Sequence, residues 1–359
     1  MIIKSLQLQN FRNYESCEIE LDKGTNIFYG DNAQGKTNIL EAIFMMATTK
    51  SHKGSKDQEM IRFGQDEAHI RSVLFKEDVT RQIDILIRKN KNKAIAIDQQ
   101  KVKKAADLLG LLNVVFFSPE DLNIIKNGPA ERRQFLNVEL CQLDSFYLYN
   151  LNHYNKIVVQ RNKLLKEMYD NPSLKETLPI WDSQLASYGS KIIERRNIFI
   201  DQLNEIIAEI HDKLSGGREK LVIGYDKNVA SDELEEKLLK THQKDIMLHQ
   251  TTVGPHRDDI IFTVNDIDIR KYGSQGQQRT AALSLKLSEI ELVKNSIHDT
   301  PILLLDDVLS ELDSNRQNYL LNQIGDIQTI ITCTGLDEFV RNRFEINKVF
   351  QVTNGVISN

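Results

Sequence analysis

Gly30-Asp31-Asn32-Ala33-Gln34-Gly35-Lys36-Thr37 is the stretch that decides the fold. The eight residues satisfy G-x-x-x-x-G-K-[ST] in full. They follow a strand-patterned run ending in Asn26-Ile27-Phe28-Tyr29 and open a helix-patterned one, Thr37 to Ala47, whose apolar side carries Ile39, Leu40, Ile43, Phe44 and Met45. Strand, glycine loop, helix is the order a phosphate cradle requires. The glycines let backbone N–H groups come close to phosphate oxygens, and the helix N-terminus adds partial positive charge. Lys36 has the reach for the β and γ phosphates, and the Thr37 hydroxyl suits Mg²⁺. Gly30, Asp31, Asn32, Ala33, Gln34, Gly35, Lys36 and Thr37, with Asn38 beside them, are the candidate contacts to a nucleoside triphosphate. A chance Gly-Lys turn would not bring the flanking strand and helix with it.

Two further motifs lie far downstream. Leu303-Leu304-Leu305-Asp306-Asp307 reads as an apolar strand ending in two carboxylates. Alone it is a strand followed by an acidic turn. Beside a phosphate loop it supplies one carboxylate for Mg²⁺, assigned to Asp306, and one to orient attacking water, assigned to Asp307. Gly273-Ser274-Gln275-Gly276-Gln277-Gln278-Arg279 precedes a helix expected over residues 278–294. In isolation it is an ordinary helix cap.

The rest of the chain sets the frame. Its 359 residues suggest about two domains, and 40% hydrophobic with 27% charged residues excludes a disordered chain. A net charge of −5 excludes a globally basic coat. Cys17, Cys141 and Cys333 stand far apart, which excludes a disulfide framework and a cysteine-rich zinc site. With no signal-like opening and no apolar run of membrane length, the expectation is a soluble cytoplasmic protein. Residues 68–100 read as a β meander and Val114-Val115-Phe116-Phe117 as a buried strand. From Pro129 to about Ser215 helical spacing takes over, in two runs broken at Asn171-Pro172-Ser173 and ending at Gly216-Gly217, the second interrupted at Arg195. Strand-and-helix alternation returns near 250, with Ile260–Val264, Ile302–Leu305 and Thr329–Thr332 as strands. The expected organisation is an α/β head formed by 1–118 and 249–359, interrupted by a helical arm over 119–248.

Phosphate loop, long insertion, Ser-x-Gly-Gln and acidic strand, in that order, resemble ATPases of the ABC class, and Ser310-Glu311-Leu312-Asp313 resembles that class's D-loop. The likeness sharpens to the RecF family of bacterial recombination mediators. It is carried by Leu6-Gln7-Leu8-Gln9-Asn10-Phe11-Arg12-Asn13-Tyr14, the phosphate loop, Phe117-Ser118-Pro119-Glu120-Asp121-Leu122, Gly128-Pro129-Ala130-Glu131-Arg132-Arg133 and Gly254-Pro255-His256-Arg257-Asp258-Asp259, then Gly273 to Arg279 and Leu303 to Asp313, spanning nearly the whole chain.

This resemblance implies an ABC-type P-loop ATPase head, a mixed sheet with an antiparallel β subdomain, in which a short helical lobe replaces the long coiled coils of SMC-type proteins. It implies ATP and Mg²⁺, and a homodimer that forms on ATP, with Ser274, Gly276 and Gln277 of one subunit capping the γ-phosphate held by the other. Lys36, Asp307 and Ser274 then form the catalytic set, and Asp313 and Arg12 join the nucleotide contacts. It implies weak, DNA-stimulated ATP hydrolysis, binding of duplex and gapped DNA, work with RecR, RecO and RecA, and links to replication and the SOS response. Two positions depart from the wider class: Asp307 stands where ABC transporters carry Glu, and no Q-loop Gln follows Phe117, leaving Glu120 in its place.

Lesser signals complete the reading. Thr334 sits where the class has its switch residue. His256 and Arg257 read as structural partners of Asp258 and Asp259. Arg88, Lys89, Lys91, Lys93, Lys101, Lys103 and Lys104 stand against only Asp98 in residues 88–104, a candidate phosphate-tracking run without interleaved aromatics. Arg132, Arg133, Arg195 and Arg196 are alternative DNA contacts. Rival readings are a nucleotide-gated recruitment module, a transporter ATPase subunit and a small-molecule kinase; the last leaves Ser274–Gln277 unexplained.

Overall fold

The structure is a computed structural model that describes residues 1–336 and 346–358. The expected head span 249–359 therefore includes residues 337–345 and 359, which lie outside the described ones. Contacts divide the chain into two compact units, Met1–Asp121 with Leu283–Asn359, and Leu122–Ala282.

The first unit holds two sheets, with strands numbered in chain order. One is antiparallel, in the order β2 (Tyr14–Glu20), β1 (Ile2–Phe11), β4 (Glu67–Lys76), β5 (Val79–Arg88), β6 (Ala94–Ile97), β7 (Gln100–Lys101). The meander read at 68–100 is its latter part. The other has the order β15 (Val356–Ser358), β14 (Ile346–Thr353), β3 (Thr25–Tyr29), β13 (Thr329–Cys333), β12 (Ile302–Asp306), β8 (Val114–Phe117), parallel except for the final hairpin. Its central strands are apolar on both faces, as parallel strands covered on both sides must be, and Ile302 to Leu305 are fully buried. Helix α1 (Lys36–Thr48) leaves β3 and is buried along most of its length.

Because β3, β13 and β12 run parallel and adjacent, their C-terminal ends share one sheet edge: Phe28 pairs with Thr332, and Thr332 with Asp306. Ligands of parallel α/β sheets gather at such an edge. The fold thereby brings together two motifs that the sequence holds far apart.

The second unit contains α2 (Leu122–Lys126), α3 (Pro129–Leu143), α4 (Ser145–Glu167) and the 38-residue α5 (Leu178–Ser215). A small antiparallel sheet joins β9 (Leu221–Asp226), β10 (Asp259–Val264) and β11 (Ile267–Asp268); of the short helices, α8 (Ile269–Tyr272) packs on this sheet, α6 (Leu234–Lys240) on α5 and α7 (His242–Leu248) on α4. This unit runs past the arm span 119–248. Strand β9 lies inside that span and β10 outside it, yet they pair continuously from Asp226↔Asp259 to Leu221↔Val264, so a boundary at 248 would cut a hydrogen-bonded ladder. Helix α9 (Gln275–Ile297) begins ahead of the expected 278, because Ser274 caps it.

Helix α5 is unbroken through Arg195. The apolar stripe lapses there because its inward position holds Arg196, only 2% exposed, rather than an aliphatic residue. The Arg196 guanidinium bonds Asp258 (3.0 Å), the Pro255 carbonyl (2.6 Å), Tyr147 Oη (3.0 Å) and Asn137 Oδ1 (3.0 Å). Arg132 pairs with Asp259 (2.6 and 3.0 Å), and Arg161 lies between Asp182 (2.9 Å) and Asp245 (2.7 Å). Asp258 and Asp259 are thus structural, but their charged partners are Arg196 and Arg132 rather than His256 and Arg257. His256 instead accepts from Tyr154 Oη at Nδ1 (2.7 Å) and donates from Nε2 to the Thr251 carbonyl (3.0 Å), the pattern of a neutral imidazole, and burial lowers its pKa to about 4.

Breaking a buried ion pair from one side strands the other charge in a poorly solvating interior. Asp258→Ala is therefore expected to lower stability by about 3–5 kcal/mol, measured as a fall in the urea midpoint.

Candidate functional site

The loop after β3 has the shape of a phosphate cradle. Gly35 takes φ +116, which favours glycine, and a Cβ there would stand 2.5 Å from the Asn13 side-chain amide and displace it. Lys36 is 4% exposed, and its ammonium donates to the carbonyls of Gly30 (2.7 Å) and Asp31 (2.9 Å), folding across the loop. The Lys36 and Thr37 N–H groups in the first turn of α1 have no partner within the helix by geometry, which suits them to an anion, whereas that of Asn38 donates to the Gly35 carbonyl (3.0 Å).

Thr37 Oγ1 donates to Asp306 Oδ1 at 2.8 Å, linking positions 269 residues apart. Two oxygens of an octahedral Mg²⁺ shell, each about 2.1 Å from the ion, lie about 3 Å from one another. The Thr37–Asp306 pair therefore already has nearly the spacing of adjacent Mg²⁺ ligands, and this donor set fits the ion. Thr332 Oγ1 donates to the same Asp306 oxygen at 2.7 Å. Burial raises the Asp306 carboxyl above the ordinary range; the bonds from Thr332 and Thr37 oppose this, and the neighbouring Asp307 charge adds to it. Asp307 follows the strand with φ +51, its N–H donating to the Thr332 carbonyl (3.2 Å) and hydroxyl (3.1 Å). Thr332 thus holds both acidic residues. Sequence reasoning passed over it for the exposed Thr334; the available signal was a hydroxyl next to the end of a mostly apolar strand.

Other predicted residues have roles inside the chain. Arg12 Nε and Nη2 grip Glu41 (2.7 and 2.6 Å), with further bonds to Ser55 Oγ (2.8 Å) and the Glu59 carbonyl (2.9 Å). Glu41 is fully buried, and although burial works against its charge, Arg12 and Ser51 hold it below the ordinary carboxylate range. Asp313 caps α10 (Ser314–Ile324), accepting from the N–H groups of Asn315 (3.1 Å) and Arg316 (3.0 Å). Glu120 is exposed on a single turn after β8; beside it burial pushes Asp121 up to about 6.

In the second unit Ser274 and Gln277 form a reciprocal cap at the start of α9: the Gln277 N–H donates to Ser274 Oγ (3.2 Å), and the Ser274 N–H to Gln277 Oε1 (3.0 Å). The plain cap reading of this motif is correct as far as it goes.

Of the basic run, Lys93 donates to Asp57 (2.9 Å) and the Thr49 carbonyl (2.5 Å), and Lys89 pairs with Asp66 (2.9 Å). Arg88 is half-buried, whereas Lys91, Lys101, Lys103 and Lys104 are exposed. Among the alternatives, Arg132 and Arg196 are buried in ion pairs, Arg133 donates to the Asp258 carbonyl (2.8 Å) and Arg195 pairs with Asp144 (3.2 Å). Among the described residues no cluster of three His, Cys, Asp or Glu is arranged for a metal, and no helix is long and apolar enough to cross a membrane.

Comparison with known proteins agrees with this architecture. The RecF/RecN/SMC N terminal domain family matches residues 2–358. The DNA replication and repair protein RecF of Agathobacter rectalis is 63% identical over 357 residues, 99% of each chain. That of Lachnospira eligens is 59% identical over 361 residues, covering 100% of this chain and 99% of the relative. A solved structure of the recombination mediator protein RecF with ATP, from the RecFOR pathway, superposes with a TM-score of 0.93 at 36% identity, covering 99% of this chain and 96% of the other.

The Thr332 contact predicts a pH effect. The Asp306 carboxylate must be ionised to hold a cation, and the Thr332 hydroxyl lowers its pKa. Thr332→Val is expected to raise that pKa and move the acid limb of ATP turnover upward by about one pH unit. Single-turnover rates from pH 5 to 8 would measure it; a superimposable profile would remove Thr332 from this role.

Proposed function

The chain belongs to the RecF family of RecF/RecN/SMC ATPases, and from that premise we propose that it is an ATP-driven DNA clamp of recombinational repair, dimerising on ATP beside gaps. Each nucleotide would lie between the Lys36 loop of one copy and the Ser274 loop of the other. Mg²⁺ on Thr37 and Asp306 would neutralise the β and γ phosphates. Lys36 would exchange its bonds to the Gly30 and Asp31 carbonyls for bonds to phosphate oxygens. Asp307 would orient the attacking water, and its side chain, one methylene shorter than the Glu of faster ATPases, accords with weak, DNA-stimulated turnover. Asp313 would contribute from the D-loop. Such catalysis is mostly positioning and charge stabilisation.

Gly276 carries the trans arrangement. Its φ is not positive, and a Cβ there would meet only Ser274 Oγ, at an ordinary 3.8 Å. Among the described residues, no atom near the Cβ position requires glycine at the second position of this helix. Space for a molecule closing on the helix N-terminus does, and a γ-phosphate bound to a second copy matches that position in size and charge.

Exposed Lys91, Lys101, Lys103 and Lys104 would track the phosphates of duplex DNA, with affinity falling steeply as salt rises. The closed dimer, acting in the cytoplasm, would work with RecR and RecO to load RecA, and hydrolysis would release it.

Ser274→Arg is expected to leave ATP binding intact and abolish ATP-dependent dimerisation in light scattering; normal dimerisation would refute the trans site. Asp307→Asn, which binds ATP without splitting it, is expected to hold a labelled gapped duplex tightly only with Mg-ATP, read by fluorescence anisotropy across a salt series. Binding indifferent to ATP would sink the clamp and favour nucleotide-gated recruitment of a protein partner.

A further inference from the structure

The phosphate loop is braced from two places remote from it in the chain. Its Gln34 carbonyl accepts from Asn13 Nδ2 (2.7 Å), in the β1–β2 turn, and from the Gly355 N–H (3.1 Å), in the β14–β15 turn. Gln34 Oε1 accepts from the Asn354 N–H (2.6 Å). Tyr14 Oη donates to the next carbonyl, that of Gly35, at 3.0 Å, and Asn38 Nδ2 donates to Asn13 Oδ1 at 2.9 Å. Gln34, a candidate phosphate contact by its position in the motif, is thus an anchor through both its carbonyl and its side chain.

These bonds matter because of peptide geometry. In a trans peptide the C=O and the following N–H point in opposite directions. Donors that capture the Gln34 and Gly35 carbonyls from outside the loop turn the N–H groups of Gly35 and Lys36 away from those donors. A cradle for phosphate needs that polarity, N–H inward and C=O outward, since a carbonyl facing phosphate repels it.

The far hairpin is built to reach the loop. Strand β14 pairs in parallel with β3, Phe350 with Phe28 and Gln351 with Tyr29, so the turn that follows arrives alongside it. Gly355 takes φ +74, and a Cβ there would stand 2.6 Å from the Asn13 carbonyl oxygen, so the two braces touch and no larger residue fits between them.

We infer that Asn13, Tyr14 and the turn Thr353–Gly355 are positioning residues that set the peptide orientations of the phosphate loop before nucleotide arrives. The inference rests on reading residues 30–37 as the nucleotide loop. Without a brace, ordering the loop becomes part of the binding step, and affinity falls for every nucleotide that carries a β-phosphate.

The test is titration of the full-length chain with fluorescent mant-ATP and mant-ADP, alongside thermal melting without nucleotide. Asn13→Ala, which removes the bonds to the Gln34 carbonyl and from Asn38, is expected to weaken both nucleotides about five- to tenfold. Tyr14→Phe, which removes a single oxygen and keeps the shape, is expected to weaken both about threefold or more. Asn13→Ala and Gly355→Ala should combine to less than the product of their separate effects, because both act on the Gln34 carbonyl. Unchanged affinities with a lowered melting temperature would make these residues structural only and overturn the inference. Wild-type protein that binds neither nucleotide would overturn the nucleotide-site reading itself, and this inference with it.

Discussion

A single hydrogen bond, Thr37 to Asp306, marks the constraint on which the site depends: three neighbouring parallel strands must end at one edge of a sheet. Asp306 ends β12, Thr332 lies one ladder over on β13, and Thr37 follows the loop that leaves β3. A register slip of one residue in any of these strands would turn its side chains to the opposite face and separate the two oxygens suited to a cation.

Each unit satisfies its buried polarity. In the first, Lys36, Asp306 and Thr332 at the candidate nucleotide site are satisfied by one another or by backbone, while Glu41 and Glu289 are paired with Arg12 and Lys286. In the second, it is invested in guanidinium–carboxylate pairs, Arg196 with Asp258, Arg161 with Asp182 and Asp245, Arg132 with Asp259. Such pairs contribute little net stability over an apolar core of equal volume, but they fix geometry, since a planar guanidinium tolerates few arrangements of its partners. Asp258 and Asp259, adjacent in sequence, tie α5 and α3 to the start of β10 in this way.

Electrostatics narrows the proposed DNA surface more than a count of basic residues implies. Lys93 and Lys89 are engaged with Asp57 and Asp66, and Arg132 and Arg196 are buried in ion pairs. What remains of the 88–104 run is a short group of free-standing lysines on a chain whose net charge is −5. Such a group suits sequence-independent contact with a phosphate backbone, where each lysine acts as a point charge screened by salt.

Much of this protein was legible in the sequence. Phosphate loop, acidic strand and capped Ser274 helix each declare themselves locally, because each depends on contiguous residues: glycines at a strand–helix turn, carboxylates after an apolar run, a serine three residues before a glutamine. The alternation of short strands and the helical run of 129–215 were readable for the same reason, periodicity being a property of neighbours. What escaped were contacts between residues remote in the chain. A buried Arg196 looks like an interruption in an apolar stripe until Asp258 is placed beside it. Thr332 looks like an ordinary strand terminus until β12 lies alongside. Gln34 looks like one more phosphate contact until Asn13 and Gly355 close on its carbonyl, and Arg132 looks like a free cation until Asp259 accepts it. Local sequence specified which groups would carry charge and which turns would form. Only the tertiary structure decided which charges were already neutralised, because pairing is settled by distance in space and not along the chain.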